Sequence, residues 1–150
     1  MTHFDTAVEI QATPDRVWSV MRDVERWPEW TRTIRSVTRL EGGPFDIGSR
    51  ARIRQPKLLP AVWRVTELEE GRGFTWVARS PGVRVKARHR VEPTATGTRA
   101  TLSLDFSGPL APLVARLTRG LNERYLAIEA KGLKERSEGA ATQDHASTGR

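Results

Sequence analysis

The chain has 150 residues, 37% hydrophobic and 29% charged, with 25 basic against 18 acidic side chains and a net charge of +7. That length suits one compact domain, and no apolar run approaches the roughly 18 residues that a membrane-spanning helix needs. With no cysteine in the sequence, disulfides, thiol nucleophiles and thiolate metal sites are excluded.

The opening residues Met1 to Asp5 carry neither the basic nor the apolar part of a secretory leader, so a cytoplasmic location is expected. His3 to Gln11 alternates as a strand should, with Phe4, Thr6, Val8 and Ile10 on one face. A helix start follows. Thr13 is placed to cap, Pro14 suits the first helical position, and Asp15 favours the positive end of the helix dipole. Val17, Val20, Met21 and Val24 then recur at helical spacing, and Pro28 restarts the chain in a second short helix.

From Thr33 to Ser107 the pattern is strands separated by turn signals: Thr33–Leu40, Ser49–Gln55, Ala61–Glu69, Gly73–Arg79, Val83–Glu92 and Thr98–Phe106. Val83, Val85, Ala87, His89 and Val91 share one face of their strand, and Arg84, Lys86, Arg88 and Arg90 the other. Such alternation predicts an antiparallel sheet with one covered and one wet face, Thr75, Thr101 and Ser103 lying on the wet one. The cover is a long helix whose apolar stripe reads Leu110, Leu113, Val114, Leu117, Leu121, Tyr125 and Ile128, with Gly132 near it for close approach to the sheet. Ser137 to Arg150 shows no periodicity and is expected to be a disordered tail.

Strand, two short helices, six strands and a long helix make an α+β chain. With ATPDRVW after the first strand, the DVERWPEW segment and the final LNERYLAIEAKGLKERSE, that order resembles the polyketide cyclase/dehydrase-like branch of the START-related SRPBCC superfamily, over residues 3–136. The resemblance implies a helix-grip fold, in which a curved seven-stranded antiparallel sheet wraps round the long C-terminal helix. It also implies that Trp30 stands near the mouth of a cavity between them.

Strand parity directs Trp63, Trp76, His89, Leu102, Leu104 and Phe106 toward that cavity, and Gln55 joins them if Ala51 and Ile53 point inward. The helix supplies Leu113, Leu117, Leu121 and Tyr125, with Arg124 at the stripe's edge. His89 interrupts an otherwise apolar face and is the one candidate acid or base. The sequence contains no metal-ligand spacing, no third glycine of a dinucleotide loop, no Walker lysine and no G-x-S-x-G elbow, so neither metal nor cofactor is expected. Three readings follow. The first is a carrier or sensor of a small, largely apolar molecule such as a lipid, polyketide or other aromatic. The second is a polyketide cyclase or dehydratase using His89. The third is an anionic partner, nucleic acid or membrane, on the Arg84–Arg90 face, where exposed stacking aromatics are absent and nucleic acid is therefore disfavoured.

Overall fold

A computed structural model describes residues 2–148, with side chains described through Gly139. Seven strands form one antiparallel sheet: β1 (His3–Ile10), β2 (Ser36–Arg39), β3 (Arg50–Arg54), β4 (Ala61–Glu69), β5 (Gly73–Ser80), β6 (Val83–Pro93) and β7 (Thr98–Ser107). Their order across the sheet is β1-β7-β6-β5-β4-β3-β2. Every neighbour from β2 to β7 is consecutive in sequence, as tight turns between antiparallel strands allow. β1 closes the far side by pairing with β7, Phe4 opposite Leu104 and Val8 opposite Ala100. This is the expected helix-grip architecture.

The first crossover carries α1 (Pro14–Arg22) and a 3₁₀ turn (Val24–Glu29). The Thr13 hydroxyl accepts the Arg16 amide at 3.2 Å, and Pro14 and Asp15 occupy the first turn as the sequence signals. Val17, Trp18, Val20 and Met21 bury the inner face of α1. The Trp27 indole donates to the Met21 carbonyl at 2.9 Å, which fastens the 3₁₀ turn to the end of α1.

The C-terminal helical segment differs from its expected form in two ways. It is two helices, α2 (Ala111–Leu117) and α3 (Arg119–Thr148), because the chain bends at Thr118. There the Thr118 hydroxyl donates to the Val114 carbonyl at 2.7 Å, a back-bond that bends helices. The buried stripe is also turned. It runs Ala111, Ala115, Asn122, Leu126, Ala130, Leu133 and Ser137, one residue or about 100° away from the leucine stripe. Leu113 and Leu117 are exposed, at 54% and 75%. Small side chains bring this helix close to the sheet, whereas a stripe of leucines would hold it off.

Two further expectations are corrected. Gly132 makes room for Trp30, whose carbonyl and ring edge lie where a Cβ would sit, and not for the sheet. On the outer sheet face Thr75 and Ser103 are buried rather than wet. Both flank Arg88 in the register, so short side chains lie beside a long one that shields them. Ser137 is fully buried, and the Glu138 carboxylate accepts the Gln11 amide at 2.7 Å. The expected tail therefore begins with packed side chains, and those of residues 140–150 lie outside the described set.

Candidate functional site

The concave face of the sheet and the α2–α3 bend enclose a cavity of about 220 Å³. Its deep wall is apolar and buried, with Ile34, Ile53, Trp76, Ala87 and Phe106. Half-buried Trp63, Val83, Val85, Leu104 and Val114 and the more exposed Leu58 and Ser80 lead toward solvent. The mouth thus lies between the β3–β4 loop, the β5–β6 turn and the helix bend. The Tyr125 hydroxyl donates to the Pro56 carbonyl, tying the β3–β4 loop to α3 across that mouth.

Aromatic packing makes the inner end rigid. His89 stacks on Phe74 with ring centres 4.4 Å apart and an 11° angle between planes. Trp27 sits 5.3 Å from both His89 and Trp76. Trp63 lies 5.9 Å from Trp76. Such aromatic pairs add stability beyond the area they bury and leave little rotamer freedom for the wall.

Few polar groups face this space. Burial pushes the His89 imidazole down to about 4, against a weaker opposing contribution from the Phe74 backbone, so the ring is neutral at pH 7. Its Nδ1 is buried without a hydrogen-bond partner. Glu129 on α3 is the opposite case, since burial pushes its carboxyl up to about 7, partly offset by the Thr33 hydroxyl, which donates to Oε1 at 3.0 Å. The Asn122 amide lines the same wall and donates to the Thr118 hydroxyl at 2.9 Å.

Of the site residues expected from the sequence, Gln55, Trp63, Trp76, His89, Leu104, Phe106 and Tyr125 line the cavity. The others do not. Leu102 faces inward but is packed into the core cluster away from the cavity. Leu113, Leu117 and Leu121 are turned off it by the rotation of the helical stripe, and Arg124 is exposed to solvent. Trp30 is displaced by its neighbour in the same motif. Trp27 takes the wall position, while Trp30 borders a separate surface groove with Arg16, Asp23 and Arg136. Glu129, Trp27, Asn122, Thr118 and Val114 were not anticipated. Spacing held a signal for Glu129: it lies one helical turn beyond Tyr125 and shares its face. A glutamate on a helix reads as solvent-facing by default, which hides it.

Arg84, Lys86, Arg88 and Arg90 do share the outer face of β6, with Arg88 and Arg90 exposed and the other two half-buried. Among the described residues no group of three His, Asp or Glu is placed to hold a metal ion. None of the described helices is long and apolar enough to cross a membrane.

Residues 1–138 match the family of polyketide cyclases/dehydrases and lipid-transport proteins. No curated protein matches this sequence. Among solved structures, the Zhui aromatase/cyclase from Streptomyces sp. R1128 superposes with a TM-score of 0.75 at 18% identity, covering 91% of this chain and 93% of that one. A START superfamily protein from Mycobacterium smegmatis gives 0.72 at 19% identity, covering 92% and 98%. The di-domain ARO/CYC StfQ of the steffimycin pathway gives 0.71 at 11% identity, covering 94% of this chain and 52% of that one. At such identities the likeness is one of fold.

Proposed function

The chain belongs to the polyketide cyclase/dehydrase and lipid transport family, and on that footing we propose that it binds one small, flat, largely apolar molecule between sheet and helix. The observation that carries this reading is the cavity's volume and wall, about 220 Å³ lined mainly by aliphatic and indole side chains. A cavity of roughly 150 Å³ accommodates benzene, so this one suits about two fused rings. That volume also falls below the roughly 300 Å³ at which ordinary drug-sized pockets begin. A sterol or a long acyl chain is too large for it.

A panel of naphthols, quinones, flavonoids, fatty acids and sterols tests this by thermal unfolding. A bicyclic ligand at about 100 times its Kd stabilises the fold by roughly 2.7 kcal/mol. The same ligand gives no shift with Val114→Trp, which fills the mouth from a half-buried helix position. Stabilisation by sterols or fatty acids alone, or a bicyclic shift that survives Val114→Trp, would sink the proposal.

Cyclase chemistry is a second reading, and the carboxyl of Glu129 is what favours it. A carboxyl near neutrality in an apolar site is matched to proton transfer, whereas an imidazole held near 4 is a weak base and an unsuitable acid at pH 7. Under this reading Glu129 moves the proton and His89 orients a carbonyl. Aldol closure of a poly-β-ketone substrate would then vanish in Glu129→Gln and persist, weakened, in His89→Gln.

A further inference from the structure

Among the described residues Glu129 is the one acid on the cavity wall, and no lysine or arginine lines that wall with it. This holds in a chain with 25 basic side chains. Arg124, on the same helix, points to solvent. The only bond to the Glu129 carboxylate among the described residues is the 3.0 Å one from Thr33, whose hydroxyl is also bonded to that of Thr31 at 2.9 Å. Two threonines orient the carboxylate without neutralising it.

A half-buried carboxylate drawn partly out of water with no counterion carries a desolvation cost, and removing or protonating it relieves that cost. A wall that keeps one therefore suits a ligand that brings the missing positive charge. The rest of the wall is consistent with such a guest. Trp27, Trp63 and Trp76 line the same small space, and indole rings attract cations more strongly than other side-chain rings do. His89 on β6 is neutral and offers no competing charge, and the Tyr125 hydroxyl on α3 donates to the Pro56 carbonyl.

We infer that the cavity selects a cationic aryl or alkyl amine, whose ammonium pairs with Glu129 while its apolar body packs on the tryptophans, and that it rejects carboxylic acids of the same shape. The inference rests on the binding reading above and specifies the chemical class of the guest.

Three ligands on one skeleton test it: 2-naphthylmethylamine, 2-naphthylmethanol and 2-naphthoic acid, titrated calorimetrically at pH 8 into the full chain. The amine is expected to bind about ten-fold or more tighter than the alcohol, as a charge-assisted pair in an apolar site should, and the acid is expected not to bind. In Glu129→Gln the amine loses its advantage over the alcohol. Lowering the pH to 6 weakens the amine more than the alcohol, because the carboxyl takes up a proton. Equal affinities for amine and alcohol, binding of the acid, or an amine preference that survives Glu129→Gln would overturn amine selection and leave the cavity reading standing. If none of the three binds, the cavity reading fails and amine selection falls with it.

Discussion

Two titratable side chains of one cavity, His89 buried and Glu129 half-buried, are shifted in opposite directions, and stability records both. His89, lowered to about 4 from an ordinary 6.5, binds fewer protons folded than unfolded between those values, so its contribution is lost as pH falls through that window. Glu129, raised to about 7 from an ordinary 4.5, binds more protons folded than unfolded between those values, so stability falls as pH rises through that window. The slopes oppose each other between pH 4.5 and 6.5, and each shift is on the order of 3 kcal/mol. A His3→Gln background removes the titration of His3, which hydrogen bonds to Asp105 and Asp5 raise. In that background the denaturation free energy is expected to be nearly flat from pH 4.5 to 6.5. Adding Glu129→Gln should expose a curve that rises with pH, and adding His89→Gln one that falls. Parallel curves for the two variants would show that one of these groups is not desolvated as described.

At the scale of elements, the C-terminal helices carry the main departure from sequence expectation. Helical periodicity in residues 110–128 is present, but two faces one residue apart both satisfy it: one holds the leucines, the other alanines and an asparagine. Hydrophobicity favours the first and close packing against a sheet the second. Leu117, 75% exposed, and Leu133, 1% exposed, separate them. Leu117→Ser is expected to change stability by no more than about 0.5 kcal/mol. Leu133→Ala is expected to cost roughly 2–5 kcal/mol. Urea denaturation of both variants checks the assignment, and a large loss from Leu117→Ser would restore the leucine face to the core. The strands departed little from expectation. Alternation has period two whatever the surroundings, and β-strand ends are marked by glycines such as Gly82, whose φ of +79° suits a turn and disfavours other residues.

For the whole molecule the question is where the packed domain stops. Ser137 is buried, and the Glu138 carboxylate takes hydrogen bonds from the Gln11 amide and the Lys134 ammonium, both at 2.7 Å, which joins α3 to the end of β1. A chain ending at residue 139 is expected to unfold within about 2 °C of the full one, and a chain ending at 136 at least 4 °C lower, the shift that roughly 1 kcal/mol produces in a domain of this size. Equal melting temperatures for the two truncations would place the boundary before Ser137.

The sequence by itself determined where the strands lie along the chain, the capped start of α1, the antiparallel sheet and the family, whereas the pairing of β1 with β7 came from the structure. Each of the former depends on local period, turn chemistry or short motifs, all of which act within a few residues. Only the tertiary structure decided which helix face is buried, that Trp27 and not Trp30 lines the cavity, that Glu129 faces inward, and how much space remains. These depend on how closely two elements approach. A one-residue rotation of a helix exchanges its buried and exposed faces without altering any local preference, and a carboxylate becomes unusual only once the surrounding walls have removed its water.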